Sequence, residues 1–289
     1  MSEDKQNKKY NLIIGRHIPV KSPHYLPGAV EEALSYGSNA LMVYLGAPQN
    51  SKRYSINRLK ITEFKEVLKK NNLDINNVIV HGPYLLNLAN TFEEKKFQWS
   101  VEFLKKEMVR MREVGLKNII LHPGSALTAK PEIALSQIAK GINLVFNEVP
   151  EARILLETMC GRGSEVGINF EQLKYIMDKV EQKERIGVCW DTCHLYAAGY
   201  DIKNNLEGVI KEFEKKVGLN KLWAIHINDS SNELGSKVDR HENIGYGKLG
   251  LETIKKVVWH TKFNGIIKLF ETPRKREDFR KEIKLVKSR

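Results

Sequence analysis

Eight short apolar runs recur along the chain, each followed by a stretch in which apolar residues return every third or fourth position. The runs are NLIIG (11–15), NALMVYL (39–45), NNVIVHG (76–82), NIILHPG (118–124), ARILLETM (152–159), RIGVCWDTCH (185–194), KLWAIHIND (221–229) and GIIKLFETP (265–273), and each predicts a strand. Helical periodicity occupies the intervals at 27–37, 93–115, 131–149, 170–182, 206–218 and 251–260, often with glycine or proline where helix ends favour them. The runs are nearly continuous rather than alternating, which suits strands covered on both faces.

Strand then helix, repeated about eight times, predicts an α/β fold of the (β/α)8 TIM-barrel type, since an open doubly wound sheet normally has fewer strands. No linker, low-complexity tract or shift of composition marks a second domain. The expectation is a single barrel domain over 11–289, preceded by a charged lead-in at 1–10 that is expected to be disordered.

Composition narrows the function classes only a little. The formal charge of +12, from 47 Lys and Arg against 35 Asp and Glu, favours an anionic partner such as nucleic acid. Lysines are spread along the whole chain, however, so a solvated basic surface explains the charge equally well. Three cysteines are too few for a disulfide framework and predict a reducing, cytoplasmic setting. No run approaches the roughly 18 apolar residues of a membrane helix, so no membrane partner is expected.

The chemistry gathers at strand ends. His81, His122, His194 and His226 lie at or just beyond the C-terminal ends of predicted strands, and His17 lies two residues past another. Glu157, Asp191, Asp229 and Glu271 take equivalent places. A barrel brings all its strand ends to one mouth, so these side chains converge. Imidazoles and carboxylates together form the donor set of zinc or a similar divalent ion, and there are more of them than one ion can use. Several metals are implied. A lone histidine at a strand end is more often a hydrogen-bonded structural residue than a ligand, but several at one relative position are a poor match to accident.

The strings HGPYLLNLAN (81–90), LHPGS (121–125), LLETMCGRG (155–163), VCWDTCHLYAAGYD (188–201), HINDS (226–230), DRHENIG (239–245) and ETPR (271–274) resemble, in order, the motifs of the endonuclease IV family of apurinic/apyrimidinic (AP) endonucleases. The resemblance runs from Gly15 to Arg274 and implies a zinc-dependent hydrolase of the deoxyribonuclease IV, phage-T4-induced type. Its implied reaction is cleavage of the phosphodiester 5′ to an abasic site in duplex DNA during base excision repair, leaving a 3′-hydroxyl and a 5′-deoxyribose phosphate. Three Zn2+ per chain are implied, with Mn2+ or another divalent ion in part of the set. His81, His122 and Glu157 would hold the first. Glu157 would bridge to a second, bound also by Asp191, His226 and Glu271, and would be the catalytic residue. His194, Asp239 and His241 would hold the third. The family's partners follow as expectations: abasic double-stranded DNA, no nucleotide cofactor, a monomer, cytoplasmic and associated with the nucleoid through DNA.

The resemblance also implies that Tyr84, Leu85 and Asn87 enter the base stack or touch the backbone at the lesion. Lys52, Arg53, Arg58, Arg162 and Arg274 fall in predicted strand-end loops where phosphate contact is possible, with Arg53 and Arg274 as the candidates for DNA binding, although most exposed cations only solvate a surface. Trp190 stands where the family often has a smaller aliphatic residue, a change expected to affect packing. Cys160, Cys189 and Cys193 lack redox or zinc-ribbon spacing and read as small buried hydrophobes.

GYGKLG (245–250) satisfies G-x-G-x-x-G formally, but it follows a polar loop and not a strand, so turn glycines account for it better than dinucleotide binding. Two other functions fit parts of the pattern. A metal-dependent sugar isomerase or epimerase shares this barrel, with one or two metals, and a non-enzymatic nucleic-acid-binding module would share only the charge.

Overall fold

The computed structural model describes residues 10–273 and 278–288. Eight parallel strands close into a barrel: β1 (Ile13–His17), β2 (Ala40–Val43), β3 (Val78–His81), β4 (Asn118–Leu121), β5 (Arg153–Glu157), β6 (Ile186–Asp191), β7 (Leu222–Ile227) and, after a small ribbon, β10 (Ile267–Phe270). The ribbon pairs β8 (Asp229–Ser230) with β9 (His241–Glu242) in antiparallel fashion. Each barrel strand lies within one of the eight apolar runs, or overruns it by a residue or two. Closure comes from β1 pairing with β10 on one side and β2 on the other, and Gly15 permits it: a Cβ there would sit 1.8 Å from the Ala40 carbonyl oxygen.

The helices are α1 (Tyr25–Ser35), α2 (Ile61–Lys70), α3 (Glu94–Val114), α4 (Pro131–Glu148), α5 (Phe170–Lys179), α6 (Thr192–Ala198), α7 (Leu206–Lys216), α8 (Gly250–Val258) and α9 (Phe279–Lys287). Six correspond to the periodic segments. The other three are α2, α6 and α9. In α2 only Phe64 and Leu68 are fully buried, one i,i+4 pair on an otherwise polar helix. The short α6 replaces the end of the strand predicted over 185–194. There β6 stops at Asp191, whose carboxylate Oδ1 accepts the His194 amide at 2.9 Å and starts a helix at Thr192.

The main core lies between strands and helices, and Trp190 sits inside it, stacked on Phe170 with ring centroids 5.9 Å apart and edge-on to Phe213 and Phe263. A smaller core fills the barrel, formed by Ala40, Met42, Ile79, Ile120, Leu155, Cys189, Ala224, Ile267 and Leu269. Tyr10, within the stretch expected to lead in without structure, donates its hydroxyl to the Val258 carbonyl at 2.8 Å, while the rest of that stretch lies outside the described residues. No helix among the described residues is long and apolar enough to cross a membrane.

Candidate metal centre

Side chains of a strand point alternately inward and outward, so the residue two beyond an interior residue faces the barrel axis one layer higher. Ile79, Ile120, Leu155, Cys189, Ala224 and Leu269 belong to the barrel interior. Two positions beyond them stand His81, His122, Glu157, Asp191, His226 and Glu271. The same count on the first two strands gives His17 and Tyr44. One layer of eight side chains therefore floors the mouth, and all but Tyr44 are imidazoles or carboxylates. Most of them line a cavity of about 380 Å³ together with His194, Asp239 and His241.

The side chains fall into groups whose donor atoms lie within 4.8 Å of one another: His81 with His122 and Glu157; Glu157 with Asp191, His226 and Glu271; His194 with Asp239 and His241. Glu157 belongs to the first two groups through different oxygens. Its Oε2 is 3.2 Å from Nε2 of both His81 and His122, and its Oε1 is 3.1 Å from His226 Nδ1. Across the groups, the contacts between donors run from 3.0 Å (His226 to Glu271) to 3.8 Å (His226 to Asp191). Ligands about 2.0–2.1 Å from a tetrahedral ion lie about 3.3 Å apart, so the spacing fits a cation at each centre.

Hydrogen-bond geometry gives the same answer. His226 Nδ1 faces three carboxylates at once, more than a single N–H can serve. Nε2 of His194 is 3.1 Å from Asp239 Oδ1 and Nε2 of His241 is 3.4 Å from it, yet both buried nitrogens lack a hydrogen-bond partner among the described residues. The distance is right and the direction is wrong, as for two donors that share a third body. The opposite ring nitrogens are committed. His81 Nδ1 lies 2.7 Å from the Gly82 carbonyl and His194 Nδ1 lies 2.9 Å from the Thr158 carbonyl, which assigns the proton of the neutral ring to Nδ1 in each, so that Nε2 is the nitrogen that would give its lone pair to a cation.

Electrostatics binds the cluster together. Burial alone would raise the Glu157 carboxyl, but His226 and His122 overcome it and hold Glu157 well below the ordinary carboxylate range. Burial opposes a charge on His194 as well, and Asp191 foremost among its neighbours holds that imidazole well above its ordinary value. His17 behaves differently. Burial dominates and brings it down to about 4; its ring packs edge-on to Tyr44 at 5.1 Å, and it belongs to none of the donor groups.

Three residues that the sequence did not nominate hold the donors in place. Asn228 donates to Asp191 Oδ2 at 2.7 Å and accepts the Glu271 amide at 2.9 Å, tying together the ends of β6, β7 and β10. The Thr158 hydroxyl accepts the Asp191 amide, and the Thr192 hydroxyl donates to the Asn228 carbonyl. Polar residues adjacent to strand-end ligands were the available signal.

Asp229 corrects the expectation from strand-end position. It is fully buried but outside the metal groups, because its carboxylate accepts backbone amides from Gly245, Gly247, Leu249 and Gly250 at 2.9 to 3.2 Å. GYGKLG thus wraps an anion belonging to the chain itself. The three cysteines are free and buried, and burial pushes Cys189 up to about 11 and Cys160 and Cys193 up to about 12. Cys193 Sγ also falls within 4.8 Å of donor atoms of Asp191 and His241, while it donates weakly to the Arg240 carbonyl at 3.7 Å.

At the rim, Tyr84 and Leu85 are 54% and 39% exposed; the Tyr84 ring lines the cavity beside His81 and His122, and Leu85 follows it in the same loop. Asn87 is used differently. Its Oδ1 accepts the amides of Ser125 and Ala89 and its Nδ2 donates to the Ser125 carbonyl, so it pins the loop after β3 to the loop after β4. Arg53 is held within its own loop and against α3: Nε donates to Glu107 at 2.7 Å, Nη1 donates to three carbonyls of its own loop, and the guanidinium covers the Phe103 ring. Lys52, Arg58 and Arg162 are not buried, and Arg274 lies outside the described residues.

The family model described as xylose isomerase-like TIM barrel matches residues 30–289. "Probable endonuclease 4" of Acholeplasma laidlawii is 43% identical over 282 residues, 96% of each chain. The protein of the same name from Staphylococcus aureus strain JH9 is 42% identical over 267 residues, 92% of this chain and 90% of that one. Among solved structures, endonuclease IV from Thermus thermophilus superposes with a TM-score of 0.84 at 28% identity, covering 95% of this chain and 97% of that one. A D-tagatose 3-epimerase-like protein shares the fold alone, with a TM-score of 0.67 and 16% identity over 94% of this chain and 96% of that one. With identity above 40% sustained over nearly its whole length, the chain belongs to the endonuclease IV family.

Proposed function

We propose that this chain is a zinc-dependent AP endonuclease that hydrolyses the phosphodiester 5′ to an abasic site in duplex DNA, leaving a 3′-hydroxyl and a 5′-deoxyribose phosphate. The observation that carries the proposal is the division of nine donors into three groups around Glu157, next to two exposed apolar side chains at the same mouth. His81, His122 and Glu157 would hold one ion, Glu157, Asp191, His226 and Glu271 a second, and His194, Asp239 and His241 a third. Bound divalent ions supply the activated water and the charge neutralisation that a phosphodiester requires.

The chain's own residues do the rest. Glu157 turns one oxygen toward each of two groups, the shape needed to bridge them. Tyr84 and Leu85 would fill the gap left by the missing base and lower the cost of displacing the abasic sugar. Asn228, Thr158 and Thr192 keep the donors in register. The +12 charge would neutralise backbone phosphates. On this reading the protein works as a cytoplasmic monomer on chromosomal DNA, without a nucleotide cofactor.

Zinc stoichiometry measured together with incision of a duplex carrying one abasic site tests the proposal. Three equivalents and a single cut 5′ to the lesion are expected. One equivalent with activity on a ketose would support the epimerase reading instead, and no metal with DNA binding alone would support a binding module.

A further inference from the structure

Two features, the buried Asp229 carboxylate and the glycine-rich GYGKLG loop, lie outside the functional reading, and they meet each other. Asp229 is the first residue of β8, and its side chain is completely shielded from water. Oδ2 accepts the amides of Gly245 at 2.9 Å and Gly247 at 3.0 Å, and Oδ1 accepts that of Leu249 at 3.0 Å. The Gly250 amide reaches both oxygens at 3.2 Å, and the Ser230 amide closes on Oδ1 at 2.8 Å. A carboxylate accepts and never donates, so it can satisfy several converging N–H groups at once, as a phosphate does in a glycine-rich loop.

The loop has no room for another arrangement. A Cβ on Gly247 would stand 2.4 Å from Asp229 Oδ1 and 2.5 Å from the Ser230 carbonyl oxygen. That same carbonyl accepts the Lys248 amide at 2.7 Å. The excursion from β8 to β9 carries Asp239 and His241, and unlike the donors on β3 to β7 neither of these has a barrel strand beneath it. The tip of the excursion is tied to α6 by the Gly235 amide on the Tyr196 carbonyl and the Lys237 amide on the Ala197 carbonyl, and its base is fastened on both sides. Downstream, Glu282 of α9 accepts from the Asn243 side chain at 2.9 Å and the Ile244 amide at 3.0 Å. Upstream, the register pairs Asp229 with Glu242 and Ser230 with His241, so the residue that gathers the loop is also the first rung of the ribbon.

We propose that Asp229 is a positioning residue for the third donor group: by gathering the amides of residues 245–250 it fixes where the ribbon holds Asp239 and His241 against His194. The proposal rests on the three-ion reading above. Asp229→Asn keeps the size but replaces one acceptor with an amino group that confronts the loop amides. Gly247→Ala crowds the same contact from the loop side and serves where the first variant fails to fold. Val257→Ala, on the buried face of α8, supplies a variant weakened elsewhere.

The experiment is zinc titration of the metal-free full chain against a competing chelator, with circular dichroism to confirm folding. D229N and G247A are expected to keep two tight equivalents and bind the third about 10–100-fold more weakly. V257A is expected to lower the melting temperature and leave all three affinities unchanged. Three unchanged equivalents in folded D229N or G247A, or equal weakening of all three, would overturn the proposal while the functional reading stands. A wild-type chain without a third tight ion would overturn both.

Discussion

The first two donor groups and the third occupy one cavity but are built in different ways. Glu157, Asp191 and His226 are on barrel strands, with no accessible surface and an apolar layer directly beneath them. The third group draws His194 from a helix of about two turns, Asp239 from the loop between β8 and β9, and His241 from β9, with Asp239 and His241 side chains 33% and 18% exposed. Strand donors inherit their places from the closure of the barrel, whereas ribbon donors depend on a few local hydrogen bonds. The difference teaches that rigidity at this site is graded, with the most solvent-accessible centre resting on the least regular backbone.

The comparison can be broken most severely at its shared point. Glu157→Gln, which removes the charge common to two groups, is expected to lower incision of an abasic duplex on the order of 10³-fold or more, while an electrophoretic shift shows retained DNA binding. His241→Ala removes a ribbon donor only. Its expected loss is about 10²-fold in incision, with one zinc equivalent missing and the melting temperature of the metal-free chain unchanged; loss of two equivalents would show that the groups are not separable. Asn228→Ala tests the brace between strand donors, and zinc affinity at the second group is expected to fall by about 10–100-fold.

The rim supplies a smaller effect. Tyr84→Ala is expected to reduce the preference for abasic over intact duplex by about 1–3 kcal/mol, read from paired Kd values, with zinc content unchanged. Smallest is the pH dependence of the metal-free chain. The Glu157 carboxyl is depressed, so its stabilisation is present above 4.5 and lost as pH falls through its folded value; the His194 imidazole is elevated, so its stabilisation is present below 6.5 and lost as pH rises through its folded value. Both contributions are complete only between 4.5 and 6.5, where the melting temperature of the metal-free chain is expected to peak. Zinc requires deprotonated donors and should move that peak upward.

The strand-borne part of the molecule was legible because period-two patterning and barrel closure are both written locally. An apolar run marks a strand, and its end marks the mouth. The same logic, carried two positions beyond each interior residue, reaches Tyr44, which no chemical motif announces. The ribbon was not legible by periodicity, since β8 and β9 are two residues each and the segment between them is polar. Asp239 and His241 were nominated as ligands only through family resemblance. The helix α6 was hidden by its own N-cap, because Asp191 ends one element and begins the next. Asp229 and Arg53 show the converse limit: a carboxylate at a strand end and an arginine in a mouth loop looked functional, and each is absorbed by contacts that the sequence does not display, the loop amides in one case and Glu107 in the other.

The Asn87 brace carries a consequence for lesion search. Because its amide ties the loop after β3 to the loop after β4, Tyr84 and Leu85 would, on the proposed reaction, meet DNA from a braced segment. A fixed prong pressed against DNA measures pliancy: a stack with a vacancy yields to it, and a continuous one resists. On the proposed reaction, much of the discrimination would therefore reside in the mechanics of the duplex, with the protein serving as an unyielding gauge.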